Sequence, residues 1–279
     1  MNILITGAKG ILGSALFKIL SPLNNVIPCG IDDFDITDFE KASAFIAARK
    51  PDIIINCAAY TDVDGCEQNI EQAFLVNGKG TENIAIICKQ LDIPIVQIST
   101  DYVFDGRKDK PYLEDDPVNP LSIYGKSKLA GEEAVQKTLE KFYIVRTSWL
   151  FGENGKNFVD TILKITKEKD ELRVVNDQSG SPTYAVDLAK AISELIKTTR
   201  YGIYHITNQG NCSWYEFTKV ILDAANMKNK TVIPVTTDEF PRPAPRPKNS
   251  ILENRLFKSI GFNLPRHYKE AVEEYITLK

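Results

Sequence analysis

The chain has 279 residues, of which 43% are apolar and 25% charged, with a formal net charge of −3. That is ordinary globular composition with enough length for a real core. The weak negative charge argues against a general nucleic-acid or membrane-surface binder, and no apolar run is long enough to span a bilayer. The five cysteines are scattered without a C-x-x-C spacing, and the two histidines, His205 and His267, are far apart, so free thiols in a reducing cytoplasm are expected and a His-based zinc or Ser-His-Asp site is poorly supported.

Met1-Asn-Ile-Leu-Ile-Thr-Gly7 lacks a basic region followed by an apolar stretch and cleavage site. It reads as a strand entering a turn, with no signal peptide expected. Strands are then expected at Asn2–Thr6, Val26–Cys29, Asp52–Cys57, Ile95–Ser99 and Tyr143–Thr147, with helices at Ile11–Leu20, Thr37–Arg49, Asn69–Leu91 and Ser122–Glu140. Ile3-Leu-Ile5 and Ile53-Ile-Ile55 are continuous apolar runs, the pattern of strands buried on both faces. This alternation implies right-handed crossovers and an α/β fold, a Rossmann-type doubly wound parallel sheet.

After Trp149 the rhythm changes. Asn157–Lys169, Val186–Thr198 and Trp214–Asn226 read as helices, Leu172–Val175, Gly202–Ile206 and Val232–Val235 as strands. The run Phe240-Pro-Arg-Pro-Ala-Pro-Arg-Pro247 reads as a stiff ordered loop, followed by helices near Leu252–Ile260 and His267–Tyr275. Residues 1–150 are expected to form a dinucleotide-binding domain, with segments near 180–207 returning to it. Residues 151–279 then form mainly a smaller α/β substrate-binding lobe.

Gly7-Ala-Lys-Gly-Ile-Leu-Gly13 follows the first strand and opens the first helix. Its glycines permit a tight turn and close approach of a pyrophosphate, and the helix start offers free N–H groups. The acid that usually ends the second strand and holds the adenosine ribose is replaced by Gly30, with acids displaced to Asp32 and Asp33. Without that acid a 2′-phosphate meets less repulsion, and Lys9 sits in the glycine loop. NADPH is therefore the expected cofactor, with NADH also accepted. Small residues in Asn56-Cys-Ala-Ala-Tyr-Thr61 would let a cofactor cross the sheet edge.

Tyr124 and Lys128 lie four apart in Tyr124-Gly-Lys-Ser-Lys128, on one face of a helix. An ammonium beside a phenol lowers the phenol pKa from about 10 towards working pH, which suits general acid–base chemistry. Thr100, at the end of a strand in Ile98-Ser-Thr-Asp-Tyr-Val-Phe104, offers a second hydroxyl. With a nicotinamide cofactor this trio points to hydride transfer between the cofactor and a carbonyl or carbinol carbon.

The glycine loop, Ala58-Ala-Tyr-Thr-Asp-Val-Asp64, the Thr100 and Tyr124 segments, Arg146-Thr-Ser-Trp149, Asp177-Gln-Ser-Gly-Ser-Pro-Thr183 and Arg246-Pro-Lys-Asn-Ser250 occur in this order. Through them the chain resembles, nearly end to end, the dTDP-4-dehydrorhamnose reductases, which are extended short-chain dehydrogenase/reductases. The resemblance implies reduction of the C4 ketone of dTDP-4-dehydro-β-L-rhamnose to dTDP-β-L-rhamnose, in nucleotide-sugar and cell-surface polysaccharide biosynthesis. It implies Tyr124 as proton donor, Lys128 as the residue lowering its pKa and binding the nicotinamide ribose, and Thr100 on the reacting oxygen. Gly7, Gly10, Ile11, Leu12, Gly13, Asp35, Ile36, Ala58, Ala59, Tyr60 and Thr61 fall at cofactor positions. Asp101 and Trp149 fall at sugar positions, and residue type and loop position suggest Arg246 for the substrate pyrophosphate.

Some members carry an acid in the first helix that helps place Mg²⁺ at a dimer interface. This chain has Ala15 there, so no bound metal and a monomer or weak homodimer are expected. Alternatives are another reductase or epimerase of nucleotide-linked 4-keto-6-deoxysugars, or a non-catalytic regulatory subunit resembling the methionine adenosyltransferase β-subunit.

Overall fold

Apolar runs without polar alternation are satisfied only when both faces are covered. In the computed structural model, which describes residues 1–279, those runs form the middle of a parallel sheet. The first part of the chain runs β1 (Asn2–Thr6), α1 (Ile11–Leu20), β2 (Asn25–Pro28), α2 (Phe39–Arg49), β3 (Ile53–Asn56), α3 (Val63–Gln68) and α4 (Ile70–Phe74). A π-helical turn (Leu75–Gly80), α5 (Thr81–Leu91), β4 (Ile95–Thr100), α6 (Ile123–Thr138) and β5 (Phe142–Thr147) follow. The remainder runs β6 (Leu150–Phe151), α7 (Phe158–Glu168), β7 (Glu171–Val175), β8 (Ser179–Gly180), β9 (Thr183–Tyr184), α8 (Ala185–Leu195) and β10 (Gly202–His205). It ends with β11 (Cys212–Ser213), α9 (Trp214–Ala224), β12 (Thr231–Val235), α10 (Arg255–Ser259) and α11 (Tyr268–Thr277).

The main sheet has six strands in the order β10-β5-β4-β3-β1-β2, every neighbouring pair parallel. Side chains alternate between its faces. Ile3, Ile5, Ile53, Ile55 and Val145 pack with Leu12 and Leu16 of α1 and Leu188 and Ile192 of α8. Leu4, Ile54 and Ile144 pack on the other face with Ile46 of α2, Ile84 of α5 and Val135 of α6. Strand order reverses between β1 and β3, which opens a crevice at their carboxyl ends. A third core, centred on Phe151, Phe217, Tyr268 and Tyr275, belongs to the C-terminal part, where β7 pairs with β12, β8 with β11 and β6 with β9.

The single helix expected over Asn69–Leu91 is broken into α4, the π turn and α5. The cause is tertiary. A Cβ on Gly80 would lie 2.7 Å from the Ile36 side chain, and one on Gly131 of α6 only 2.4 Å from the Asn77 carbonyl. The bulge lets the chain pass close to α6 while Asn77 turns inward, and such π turns cluster at functional sites.

Candidate active site

The crevice is a cleft of about 840 Å³ at the carboxyl ends of the sheet. Its floor begins where β1 ends. Gly7 has φ +63°, and its carbonyl accepts from the Gly10 N–H at 3.0 Å. A Cβ on Gly13 would lie 2.3 Å from that carbonyl, and one on Gly7 2.8 Å from the Ala58 nitrogen. Gly10 caps α1 without a side-chain hydrogen bond, and no acid stands in the first turn. The helix start therefore presents free N–H groups and partial positive charge to the cleft, which fits a dinucleotide pyrophosphate. Ile11, Leu12, Asp35, Ile36, Ala58, Ala59 and Thr61 also line it.

At the adenosine end no carboxylate occupies position 30. A Cβ there would meet only the aliphatic stem of Lys9, whose ammonium pairs with Asp32 in solvent. Asp33 accepts from the Gly30 N–H at 2.8 Å, and Asp35 from the Thr37 N–H at 2.8 Å.

Tyr60 is not in the cleft wall. Its N–H donates to the Asn77 side chain at 2.8 Å and its carbonyl accepts from the same amide at 3.0 Å, while that amide also donates to the Ser127 hydroxyl at 2.9 Å. Asn77 thus ties the strand β3 exit to α6. Its signal in the sequence was an Asn beside two glycines inside a helical pattern.

Tyr124 and Lys128 share the face of α6 that looks into the cleft. The helix starts where Ser122 accepts from the Gly125 N–H at 3.1 Å. Tyr102 packs edge-on against Tyr124, ring centres 5.7 Å apart. The Lys128 ammonium donates to the Ile98 carbonyl at 2.7 Å. The net direction at Tyr124 is the reverse of the lowering expected from spacing: burial followed by the Asp101 carboxylate pushes the phenol up. Burial also brings Lys128 down to about 8, opposed by Glu132. Desolvation thus sets the net direction at both groups.

Thr100 closes β4 against the same cleft. Its hydroxyl donates to the Asp101 carboxylate at 2.9 Å and accepts from the Tyr102 N–H at 3.2 Å. Asp101 is 2% exposed, its second carboxylate oxygen has no protein partner, and burial pushes it up to about 6. Trp149 forms the far wall. It holds φ +46°, rare for a bulky residue, and stacks on Trp214 with ring centres 3.4 Å apart and planes 6° from parallel. Gly180 makes room for it, since a Cβ there would lie 2.4 Å from the indole.

Arg246 lies outside the cleft lining. Its guanidinium donates to Asp64 at 3.0 Å and to the Ala244 carbonyl at 2.8 Å, and Arg242 pairs with the other Asp64 oxygen at 3.0 Å. The proline-rich loop is thereby pinned to α3. The sequence reading also missed the segment after β6, where Asn154, Gly155 and Lys156 reach the cleft. Gly155 packs on Ile11, a Cβ there falling 2.6 Å from it, so the C-terminal part closes directly on the first turn of α1.

Residues 1–279 match the family described as the RmlD substrate binding domain. The chain is 43% identical to the spore coat polysaccharide biosynthesis protein SpsK of Bacillus subtilis, over 99% of this chain and 96% of that one. The structure of a dTDP-4-dehydrorhamnose reductase from Clostridium acetobutylicum superposes with a TM-score of 0.97 at 46% identity, covering 100% of this chain and 99% of that one. The enzyme of that name from Bacillus anthracis, in complex with NADP, gives 0.97 at 42% identity, with 100% and 99% covered.

Proposed function

The chain belongs to the RmlD substrate binding domain family, and on that premise we propose that it is an NADPH-dependent oxidoreductase that reduces the C4 ketone of dTDP-4-dehydrorhamnose to dTDP-L-rhamnose. The observation that carries this reading is the meeting of Thr100, Tyr124 and Lys128 with the uncapped glycine turn of α1 in one cleft.

NADPH, which the glycine turn of α1 would hold, would supply the hydride. The protein's own part is to hold the ketone and to move one proton. Tyr124 is the proton donor. Its phenol is kept neutral by burial, which suits an acid in the direction of reduction. Lys128 sits one helical turn away, where its charge favours the phenolate as the proton leaves. Thr100 holds the reacting oxygen near Tyr124. Because its proton now goes to Asp101, it must rotate to donate to that oxygen. Asp101 and Trp149 take the sugar, and Arg246 the substrate pyrophosphate after release from Asp64. Gly7, Gly10, Ile11, Leu12, Gly13, Asp35, Ile36, Ala58, Ala59 and Thr61 hold the cofactor. Residues 1–150 act mainly on the cofactor and 151–279 mainly on the sugar nucleotide.

No helix is long and apolar enough to cross a membrane. We place the enzyme in the cytoplasm, as a monomer or weak homodimer without Mg²⁺, because Ala15 supplies no ligand. Light scattering with and without EDTA tests this, and a dimer that dissociates on chelation contradicts it. The reaction is tested by mixing enzyme, NADPH and the 4-keto sugar nucleotide. Stoichiometric NADPH oxidation supports the reductase. A tightly retained cofactor without net consumption points to an epimerase, and absence of turnover to a regulatory subunit.

A further inference from the structure

Behind the catalytic face lies a buried ion pair that the reaction above does not use. Glu132 is one turn beyond Lys128 on α6, so Tyr124, Lys128 and Glu132 form one stripe. It is wholly buried, and Arg146 is 3% exposed. Arg146 grips both carboxylate oxygens of Glu132, at 2.9 Å and 3.2 Å from Nε and 2.7 Å from a terminal nitrogen. The Ser99 hydroxyl donates to the same carboxylate. Ser99 and Arg146 face each other across β4 and β5, and the next paired residues are Thr100 and Thr147, both in the cleft wall. One carboxylate therefore joins the helix carrying Tyr124 and Lys128 to the two strand ends that face the reacting atoms.

We propose that Glu132 is a positioning residue, fixing α6 against the ends of β4 and β5 and acting as the buried counter-charge of Lys128. The geometry favours this over packing alone. A buried pair held by three donors costs more to build than an apolar contact of the same volume, and this one stands where its field reaches the cleft. The other groups around Lys128 do not supply that charge. The Ile98 carbonyl on β4 is neutral, and the Cys57 thiol at the end of β3 is pushed up by burial to about 12. Tyr124 on α6 is held neutral. Beyond Arg146, His205 on β10 is neutral too, lowered by burial to about 3.

The inference rests on NADPH binding in this cleft, and its test separates the two. In a Tyr124→Phe chain the phenol cannot titrate, so the pH dependence of NADPH binding from about pH 7 to about 10, read by NADPH fluorescence, follows Lys128. Adding Glu132→Gln is expected to lower the midpoint by about one unit. Adding Ser99→Ala removes a donor, leaves the carboxylate charge less screened and is expected to raise it by a smaller amount. Glu132→Asp keeps the charge and is expected to hold the midpoint. Where Glu132→Gln does not fold, the Ser99→Ala shift decides. Midpoints that stay put, or that move the same way in Glu132→Gln and Ser99→Ala, overturn the proposal. Failure of the Tyr124→Phe chain to bind NADPH at any pH overturns the cofactor reading instead.

Discussion

The ammonium of Lys128 lies 2.7 Å from the Ile98 carbonyl, so the lysine of the Tyr-x-x-x-Lys pair is anchored to the backbone of β4 and reaches Tyr124 only through its field. The two residues should then fail differently. Tyr124→Phe is expected to lower kcat by about 10²–10⁴-fold while NADPH affinity stays within a few-fold. Lys128→Met is expected to weaken NADPH binding and kcat together. Steady-state kinetics with NADPH fluorescence titration distinguishes these patterns, and a Tyr124→Phe chain with near-normal kcat removes Tyr124 as the acid.

The glycine turn leaves no room for a methyl group at Gly13, where a Cβ would sit 2.3 Å from the Gly7 carbonyl. Gly13→Ala forces the turn and α1 apart; the chain should still fold on its other contacts, but should bind NADPH at least about tenfold more weakly. Circular dichroism with the same fluorescence titration checks both halves.

Gly180 does the equivalent for the Trp149 wall. A Cβ there would strike Trp149 at 2.4 Å and push the indole off Trp214. Gly180→Ala is expected to raise KM for the sugar nucleotide by about tenfold while KM for NADPH is little changed. Equal losses for both ligands would mean that the wall is only structural.

His205 makes the fold sensitive to acid. Its Nδ1 lies 3.1 Å from the Tyr112 carbonyl, and burial lowers its pKa to about 3 from about 6.5 in an unfolded chain. Between those values the unfolded chain binds a proton that the folded chain refuses, so stability falls as pH drops from about 6.5 towards 3. Asp101, raised by burial to about 6, works in the opposite direction over part of that window. The contribution of His205 is therefore read as a difference. His205→Gln should lose about 2–3 kcal/mol less than the parent between pH 7 and pH 4.5 in urea unfolding. Parallel losses would contradict this.

Gly30 and Lys9 make cofactor choice testable. With no acid at position 30 and the aliphatic stem of Lys9 beside it, kcat/KM should be at least as high for NADPH as for NADH. Lys9→Ala should lower the NADPH value by several-fold and leave NADH nearly unchanged, as expected for loss of one exposed charge against a phosphate. A strong NADH preference in the parent would contradict this.

Much of the fold was legible because parallel strands leave a local mark. Ile3–Ile5 and Ile53–Ile55 need cover on both faces, and the glycine turn followed directly. The Tyr124 and Lys128 spacing likewise placed both residues on one wall. The rest depended on partners distant in sequence. Nothing local tells that Gly80 yields to Ile36 and Gly131 to Asn77, so the break at residues 75–80 read as continuous helix. Glu132 and Arg146 look like surface charges until α6 lies on β5. Trp149 carries no sign of its left-handed backbone, which Trp214 and Gly180 hold in place. The net direction of the Tyr124 pKa was illegible for a related reason, because spacing gives proximity but not the desolvation that acts against it.

The central claim is tested most directly by NADPH deuterated at the transferable C4 position of its nicotinamide. Incubated with the enzyme and dTDP-4-dehydro-β-L-rhamnose, it should be consumed one for one, with deuterium at C4 of the sugar and dTDP-β-L-rhamnose identified by NMR. Deuterium elsewhere, the C4 epimer as product, or turnover without net NADPH oxidation would contradict the account.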